Sequence, residues 1–467
     1  MLFNARTLKV ITIILTIFAI SGSLTVCSNS IPNIKTNENY DTLSEKNSDY
    51  DLLIITPMRY TVILRILAQH KEKHDIKTKI VNLEKIYQND EINGRDNQEK
   101  IKYYIKNQLD NHNITYVLLV GDFKCMPIRY IHNVDLNVSR TELKYISDLY
   151  YADIYDKNGS FSSWDTNGNG IYGEWNGSTA QDKNIDLKPD ICLGRLPCSN
   201  IFEVMIMVKK IINYEKNTNE QPWFKRIIGV GGDSYPKHEG YEGEINTQNA
   251  MNNMQGFVQV KLWTSNGKLN NEQSVIKEMN KGCGFIYFDG HGTPYAWGTH
   301  PPNDGKTFVF GLKNSNMFFL HNRNKLPICV VSACHNCQFD VHPARIFTDP
   351  YYSYTWVKEC WGWHLTSKYN GGAIATIGNT ATGYSKEDKQ SQKGADSYLD
   401  PKFFWEYGIN GTDILGKAWA NAINDYLDEF PIDWDSPSGS DYSIDAKTVQ
   451  QWVLIGDPSL KIGGYQI

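Results

Sequence analysis

Three absences narrow what this 467-residue chain can be. It has no basic cluster, and its 47 Lys and Arg against 52 Asp and Glu give a net charge of −5, which argues against a nucleic-acid surface. Its nine cysteines show no disulfide-scaffold spacing, and their odd number leaves at least one thiol unpaired. The apolar run at 10–20 is shorter than the roughly 20 residues that span a membrane. What remains is an ordinary globular composition, with 41% hydrophobic and 21% charged residues.

The amino terminus has the features of a targeting segment. Arg6 and Lys9 precede the apolar run at 10–20, and small residues follow it, as in a secretory signal peptide. We predict a signal peptide or membrane anchor at 1–27, cleaved or not, and a polar tether at 28–48. The expected protein is therefore secreted or tethered at an extracellular surface, and it meets a membrane only through this segment.

Strands alternate with helices along the rest of the chain. "YDLLIITP" (50–57) and "ITYVLLVGD" (114–122) indicate buried strands with helical patterns between them. After an irregular insert, the alternation restarts at "PWFKRIIGVGGD" (222–233). This order predicts an α/β fold in which mostly parallel sheets are sandwiched by helices. We divide it into an N-terminal half at 49–221, which contains the insert, and a second half at 222–467.

Two strands of the second half end in residues that can do chemistry. "CGFIYFDGHGTPYAWG" (283–298) places His291 between two glycines at a strand end, and "LPICVVSAC" (326–334) ends in Cys334. The stretch between them has room for one crossover, so their carboxyl ends can lie side by side, where open α/β sheets place their sites. A thiolate beside an imidazole is a nucleophile with its proton-transfer partner. The N–H groups of Gly292 and Cys334 can bind a developing oxyanion.

The residues alone leave other interpretations open. A histidine after a strand is often a capped structural residue, and a buried cysteine is often an inert small hydrophobe. Cys334 and Cys337 form a Cys-x-x-Cys pair that a thiol–disulfide oxidoreductase would use, although such a pair belongs near the first strand of a small domain. Zinc is a further alternative, but a second paired ligand cluster is missing. Its available ligands are Cys329, Cys334, Cys337, His335 and His342.

Several stretches resemble the gingipain-type cysteine peptidases of the caspase-like clan. They are "FIYFDGHGTPYAW", "VVSACHNCQFD", "GGAIATIGNTATGYS", "SDLYYADIYD" with "DLKPDICLGRLP", and the terminal "VLIGDPSLKI". The resemblance implies a caspase-like fold of two related α/β halves, the second catalytic, and an endopeptidase acting on proteins or peptides without an organic cofactor. It also implies that Cys334 attacks the scissile carbonyl, that His291 protonates the leaving amine, and that Gly292 and Cys334 donate to the oxyanion. A catalytically inactive caspase-like binding module is the alternative from another class.

The resemblance further implies where a substrate side chain lies. The best-known members cleave after Arg or Lys and use an acidic residue some way before the catalytic histidine. Glu242 and Glu244 stand at a comparable place, with Glu244 the closer match, and a solvated loop acid is the alternative for both. Tyr384 falls near an aromatic residue that covers the S1 pocket, which holds the side chain preceding the cleaved bond (P1). Asp233 is a candidate to orient His291.

A loop in the insert predicts a bound calcium ion. "DTNGNGIYGE" alternates oxygen-bearing side chains and has glycine at its sixth place, as in the first half of an EF-hand loop. The twelfth place lacks the EF-hand glutamate, so we expect a shorter clip closed by an earlier acid. This structural Ca²⁺ would order the insert, and a solvated Asn/Gly turn is the alternative. The expected ligands are Asp165, Asn167, Asn169, the carbonyl of Ile171, and Glu174.

Overall fold

The computed structural model describes residues 49–135, 142–342, 355–385 and 394–466, with the single residues Ala344, Phe347 and Tyr352. The predicted targeting segment and tether at 1–48 lie outside the described residues. Among the helices of the described part, none has the length and apolarity needed to cross a membrane.

The strands of the described chain are short and mostly buried, and most of them contain β-branched or aromatic residues. Every residue of β1, β3, β9, β13 and β14 is buried, so both faces of the main sheet are covered. Their bounds are β1 Leu52–Thr56, β2 Thr78–Asn82, β3 Tyr116–Val120, β4 Tyr130–Ile131, β5 Tyr145–Ile146, β6 Cys192–Leu196, β7 Arg226–Gly231, β8 Val258–Trp263, β9 Phe285–Asp289, β10 His291–Thr293, β11 Ala296–Thr299, β12 Val309–Lys313, β13 Ile328–Ser332, β14 Ala375–Asn379 and β15 Trp452–Ile455.

Helices connect these strands, and several begin at side-chain caps that the sequence supplies. Asp96, Asn200 and Asn271 each accept a hydrogen bond from a backbone N–H in the first turn of the helix that follows. The bounds are α1 Thr61–Glu72, α2 Leu83–Tyr87, α3 Asn97–His112, α4 Ile201–Asn217, α5 Glu242–Asn252, α6 Glu272–Lys281, α7 Trp361–Ser367, α8 Asp396–Gly408, α9 Leu415–Glu429 and α10 Asp441–Gln451.

One ten-stranded sheet runs through this structure, in the order β2-β1-β3-β6-β15-β14-β13-β9-β7-β8. All neighbours are parallel except β14 and β15, which pair antiparallel. The sheet therefore consists of two parallel blocks that run in opposite directions. The strand β15, from late in the chain, pairs parallel with β6 and so belongs to the block of early strands.

The two strands that carry the predicted catalytic residues are direct neighbours. β9 and β13 pair in parallel along their whole length, and Asp289 lies opposite Ser332 at their carboxyl ends. This register brings the residues that follow, at 290–292 and 333–334, to one edge of the sheet.

A buried ion cluster ties the carboxyl-terminal turn to α1. Lys71 Nζ lies 2.7 Å from Glu215 Oε1 and 2.7 Å from Asp457 Oδ2, and all three side chains are inaccessible to solvent. The second oxygen of Glu215 contacts His70 Nε2 at 2.8 Å. Asp457 also accepts hydrogen bonds from the N–H and hydroxyl of Ser459, at 2.9 and 2.7 Å. The terminal Gly-Asp-Pro-Ser-Leu motif thus supplies an acidic partner for a buried lysine, which could not stay charged there alone.

From Asp49 onward the chain forms one compact unit. The predicted boundary between 221 and 222 falls inside this unit, between α4 and β7. The division into two related halves stays a prediction.

Candidate active site

His291 opens the short strand β10, and the single residue Gly290 separates it from the end of β9. A side chain at Gly290 would come within 2.9 Å of the Trp297 ring, and one at Gly292 would come within 2.4 Å of the Cys334 carbonyl oxygen. Both glycines are therefore required by the close approach of neighbouring chain. The Gly-His-Gly pattern lets the backbone around His291 pack against the loop that carries Cys334.

An asparagine binds the loop after β13, which carries Cys334, to the hairpin of β10 and β11, which begins at His291. The side-chain amide of Asn336 donates to the carbonyls of Thr293 at 2.7 Å and Ala296 at 3.0 Å. His335, the residue after Cys334, adopts a left-handed conformation with φ of 57°. That conformation turns the chain sharply after the cysteine and costs energy for a non-glycine residue.

His291 and Cys334 line one pocket, which holds about 390 Å³ of empty space. Glu242, from the start of α5, and Tyr384, from the loop after β14, line the same pocket. Among the described residues that line it, none is a lysine or an arginine. The structure thus brings together four of the residues that the sequence nominated.

The Cys334 thiol is protonated in this structure at neutral pH. Burial raises the pKa of the thiol to about 11, and the acids Asp396 and Glu142 push it in the same direction. The N–H of Gly383 opposes this shift by hydrogen bonding to the sulfur. A thiol with this pKa needs a base to become a nucleophile.

The His291 ring is neutral and oriented by a backbone carbonyl. Its Nε2 lies 2.9 Å from the Ser234 carbonyl oxygen, and since a carbonyl only accepts, Nε2 carries the proton. Burial lowers the pKa of His291, and the nearby His300 lowers it further. Nδ1 is then left unprotonated and able to accept a proton. No hydrogen bond joins the Cys334 sulfur to this ring, so the two described residues form a neutral pair across the pocket rather than a preformed ion pair.

The expected role of Asp233 as the orienting group differs from what the structure shows. Its carboxylate accepts a hydrogen bond from the N–H of Asn303 at 2.7 Å and makes none with His291. The ring is held instead by the carbonyl of the adjacent Ser234. Sequence reasoning missed this contact because a backbone carbonyl has no side-chain signature.

The sequence favours Glu244 over Glu242 as the acid beside the catalytic residues, but in the structure Glu242 lines the pocket and Glu244 does not. Glu244 is turned away from the pocket, where it accepts a hydrogen bond from the N–H of Ser265 at 2.9 Å and others from the hydroxyls of Ser265 and Thr264. The reason is that α5 begins at Glu242, so residues two apart point to nearly opposite sides of the helix. Burial raises the pKa of Glu242, and the nearby Asp233 carboxyl adds to the shift.

The loop that carries Tyr384 is anchored by acids from early in the chain. The Tyr384 hydroxyl donates to Asp135 Oδ2 at 3.0 Å. Glu142 accepts from the N–H of Thr382 at 3.2 Å and from Lys447 Nζ at 3.2 Å. Neither acid belongs to a motif, so no sequence signal pointed to them.

Comparison with known proteins places this site in a family. The model of peptidase family C25 matches residues 45–463. The chain belongs to peptidase family C25. Gingipain R2 of Porphyromonas gingivalis is 20% identical over 425 residues, which cover 90% of this chain and 46% of that protein. Gingipain R1 of the same organism is 21% identical over 425 residues, which cover 90% of this chain and 34% of that protein. This C25 chain therefore spans less than half the length of these two curated relatives.

A solved structure confirms the predicted fold class of this C25 chain. The crystal structure of the Arg specific cysteine proteinase gingipain R matches it with a TM-score of 0.60 and 18% sequence identity, covering 90% of this chain and 79% of the other. The fold is the caspase-like α/β fold, with a large, mostly parallel sheet flanked by helices.

The predicted calcium loop of this C25 chain is held by its own hydrogen bonds. The Asp165 carboxylate accepts from the N–H groups of Asn169 and Gly170, both at 3.0 Å, and pairs with the Arg95 guanidinium. The Asn169 amide donates to Glu174 at 2.7 Å. Within the described residues, no group of three or more His, Cys, Asp or Glu is arranged to hold a metal. The loop gathers the oxygen donors that Ca²⁺ prefers, while Arg95 already balances part of their charge.

The neutral thiol–imidazole pair predicts an alkaline reactivity profile. We expect the alkylation rate of Cys334 by iodoacetamide to rise about tenfold per pH unit from about pH 6 to about pH 10, because the thiolate fraction follows the raised pKa. Mass spectrometry of the labelled peptide measures the rate, and Cys334→Ser corrects for the remaining thiols. A rate that levels off below about pH 8 would show a preformed ion pair instead.

Proposed function

We propose that this chain is a secreted or surface-tethered cysteine endopeptidase that hydrolyses proteins or peptides. The observation that carries the proposal is the shared pocket of His291 and Cys334, reached from adjacent strand ends of a C25 family fold. The apolar targeting pattern at 10–20 supports export.

The chemistry follows from the protonation states of the two residues. When a peptide carbonyl enters the pocket, the Cys334 proton passes to His291 Nδ1 and the sulfur attacks the carbonyl carbon. The N–H groups of Gly292 and Cys334 bind the oxyanion that forms. His291 then gives its proton to the leaving amine, and the substrate acyl group stays on the sulfur as a thioester. Water, deprotonated by His291, hydrolyses the thioester and restores the thiol.

The geometry disfavours the oxidoreductase alternative. Cys337 is fully buried, and its sulfur would lie 2.6 Å from a Cβ placed on Gly362 and 3.0 Å from one placed on Gly378. Its neighbour Cys334 is partly exposed and faces the pocket. A redox pair needs both sulfurs within reach of one substrate.

Replacing the nucleophile tests the endopeptidase proposal. We expect Cys334→Ala to lower kcat/KM for peptide hydrolysis by more than about 1,000-fold at an unchanged melting temperature, because the change removes the attacking atom and little volume. Cys337→Ala is the matched control and keeps hydrolysis. Loss of activity in Cys337→Ala, with activity kept in Cys334→Ala, would assign the reaction to the other sulfur. An inactive wild-type protein would favour the binding-module alternative.

We further propose that the pocket favours Arg or Lys at P1 through Glu242. Three carboxyl groups line the pocket, from Glu242, Asp289 and Asp396, and none of its other described lining residues is a lysine or an arginine. Of the three, Glu242 stands at the place of the acidic residue that the family resemblance implies. A carboxylate desolvated in such a pocket gains several kcal/mol of discrimination from a basic partner, roughly 2–5 as for buried charge pairs.

Glu242→Gln separates charge from shape in this pocket. We expect kcat/KM for a peptide with Arg at P1 to fall about 100-fold, with little change for an uncharged P1 residue. Because the pKa of Glu242 is raised, the wild-type preference for Arg should weaken as pH falls, beginning at a less acidic pH than an ordinary glutamate would give. Glu244→Gln is the control and should leave selectivity unchanged. Equal loss on both substrates in Glu242→Gln would remove Glu242 from the P1 contact.

We also propose that the insert binds a structural Ca²⁺ at Asp165, Asn167, Asn169, the Ile171 carbonyl and Glu174. The nearby Asp182 carboxyl supports this proposal, because burial and the Asp165 charge together raise its pKa, as expected where negative charge is concentrated. Arg95 would then share Asp165 with the cation.

Chelation tests this calcium site. We expect millimolar Ca²⁺ to raise the melting temperature by a few degrees over a chelator-treated sample, since a ligand that binds only the folded state stabilises it. Asp165→Asn should remove most of this increase, whereas Asp182→Asn, outside the proposed ligand set, should keep it. Identical melting temperatures with Ca²⁺ and with chelator would rule the site out.

A further inference from the structure

A tyrosine hydroxyl is shared by two buried acids beneath the candidate active site. The Tyr287 hydroxyl oxygen lies 2.9 Å from Asp289 Oδ2 and 3.0 Å from Asp400 Oδ2. Tyr287 and Asp400 are fully buried, and Asp289 is 6% exposed. A phenol has one proton, so it can donate to only one of the two acids. The other short contact is a hydrogen bond only if that acid is itself protonated.

The surrounding contacts assign the proton to Asp400. Asp289 Oδ2 also accepts from the Asn246 side-chain amide at 3.0 Å, so two donors stabilise its ionised form. The second oxygen of Asp400, Oδ1, is buried without a hydrogen bond. An ionised carboxylate with an empty buried oxygen is costly, whereas a protonated one that donates to Tyr287 is not. The resulting chain runs from Asp400 through Tyr287 to Asp289.

The charges that face Asp400 favour its neutral form. Burial raises the pKa of Asp400 well above its usual value, and the carboxyls of Asp396 and Asp289 add to the shift, while the Ser332 hydroxyl opposes it. No lysine, arginine or histidine of the described chain forms a salt bridge with any of these three acids. The facing groups are Tyr287 and Asp289 on β9, Ser332 on β13, Asp396 on α8, and Glu242 with Asn246 on α5.

The ionised form of Asp396 makes a second ionised acid on α8 unfavourable. It lies one helical turn before Asp400, and its two oxygens accept from Asn379 at 2.7 Å and from the Trp452 indole at 2.8 Å. Both donors stabilise the ionised form. Like charges at this spacing repel each other, and more strongly in a buried site.

This network lies directly under the catalytic pair. Asp289 is two residues before His291, and Ser332 is two residues before Cys334. Asp289 and Ser332 are also register partners across β9 and β13. Asp289, Ser332 and Asp396 all line the pocket. Asp400 contacts β9 through the Tyr287 hydroxyl and faces the Ser332 hydroxyl of β13, so a change at Asp400 would act on both strand ends.

We propose that Asp400 is a positioning residue that keeps a proton at neutral pH and that it holds the end of β9 through Tyr287 and the end of β13 through Ser332, which keeps both ends in catalytic register. Its effect on hydrolysis rests on the proposed function, but its protonation does not. Loss of the proton would place a further negative charge beneath the pocket and break the bond to Tyr287.

Protonation of Asp400 makes the stability of the folded protein depend on pH in a predictable direction. Between the ordinary pKa of an aspartate and the raised pKa of Asp400, the folded state holds a proton that the unfolded state has released, so wild-type stability falls as pH rises. Asp289 and Asp396, whose pKa values burial raises to about 7, contribute in the same direction. Asp400→Asn removes the Asp400 part of this dependence and keeps the shape and a donor for Tyr287.

Thermal unfolding of the full chain tests the protonation. We expect the melting temperature of Asp400→Asn minus that of wild type to increase steadily from about pH 5 to about pH 8. Asp90→Asn, at an exposed position, is the control and should show a difference that does not vary with pH. A pH-independent difference for Asp400→Asn would show that Asp400 is ionised and would overturn the proposal.

Kinetics test the positioning role separately. We expect Asp400→Asn to keep kcat within about threefold of wild type and to retain more activity than wild type above about pH 8.

Asp400→Ala should lower kcat at least about tenfold with KM within about twofold, because the strand ends lose their link while the pocket walls remain. Tyr287→Phe, which deletes the bridging hydroxyl alone, should lower kcat similarly, and it replaces Asp400→Ala if that variant fails to fold. A folded Asp400→Ala or Tyr287→Phe with wild-type kcat would overturn positioning. An inactive wild type would refute the proposed function, and the melting measurement would still decide the protonation.

Discussion

The parallel pairing of β9 with β13 is the constraint on which the site depends. Each strand delivers one reactive residue just beyond its end, and the register that sets Asp289 against Ser332 sets how far apart they stand. Backbone hydrogen bonds along both strands set this register. The loops beyond are then held by a few local contacts, such as the Asn336 amide on the hairpin of β10 and β11.

The second feature of the site is its concentration of acidic groups. Carboxyl groups line the pocket and continue beneath it, and none of its described lining residues is a lysine or an arginine. Burial raises the pKa of Asp289 and Asp396 to about 7 and that of the Cys334 thiol to about 11, and neighbouring acids add to the shifts of Asp289 and Cys334, so the site is less charged than its sequence implies. A cationic substrate would change this balance when it enters, since positive charge stabilises carboxylate and thiolate together. Under the proposed preference for Arg or Lys at P1, substrate binding and nucleophile activation would therefore be coupled through electrostatics.

Much of the fold could be predicted from the sequence, because buried strands and helices have periodic apolar patterns. The same patterns placed His291 and Cys334 on neighbouring strand ends. The finer contacts could not be predicted, since they depend on orientation. Glu242 and Glu244 are the same residue type, so the sequence does not distinguish them. Only the helix that begins at Glu242 turns Glu242 toward the pocket and Glu244 toward Ser265. The Tyr287 bridge joins residues far apart in the chain, which no local pattern records.

The reversed direction of β15 has a consequence for how the molecule is made. β14 follows the cysteine strand in the sheet, and its outer edge is covered only by β15, from Trp452–Ile455. During synthesis, both reactive residues leave the ribosome well before that covering strand exists. Until it docks, with the nearby Asp457 meeting Lys71, the sheet has an open edge between its two blocks. A nascent chain therefore presents both candidate catalytic residues before the strand that joins the two blocks has been made.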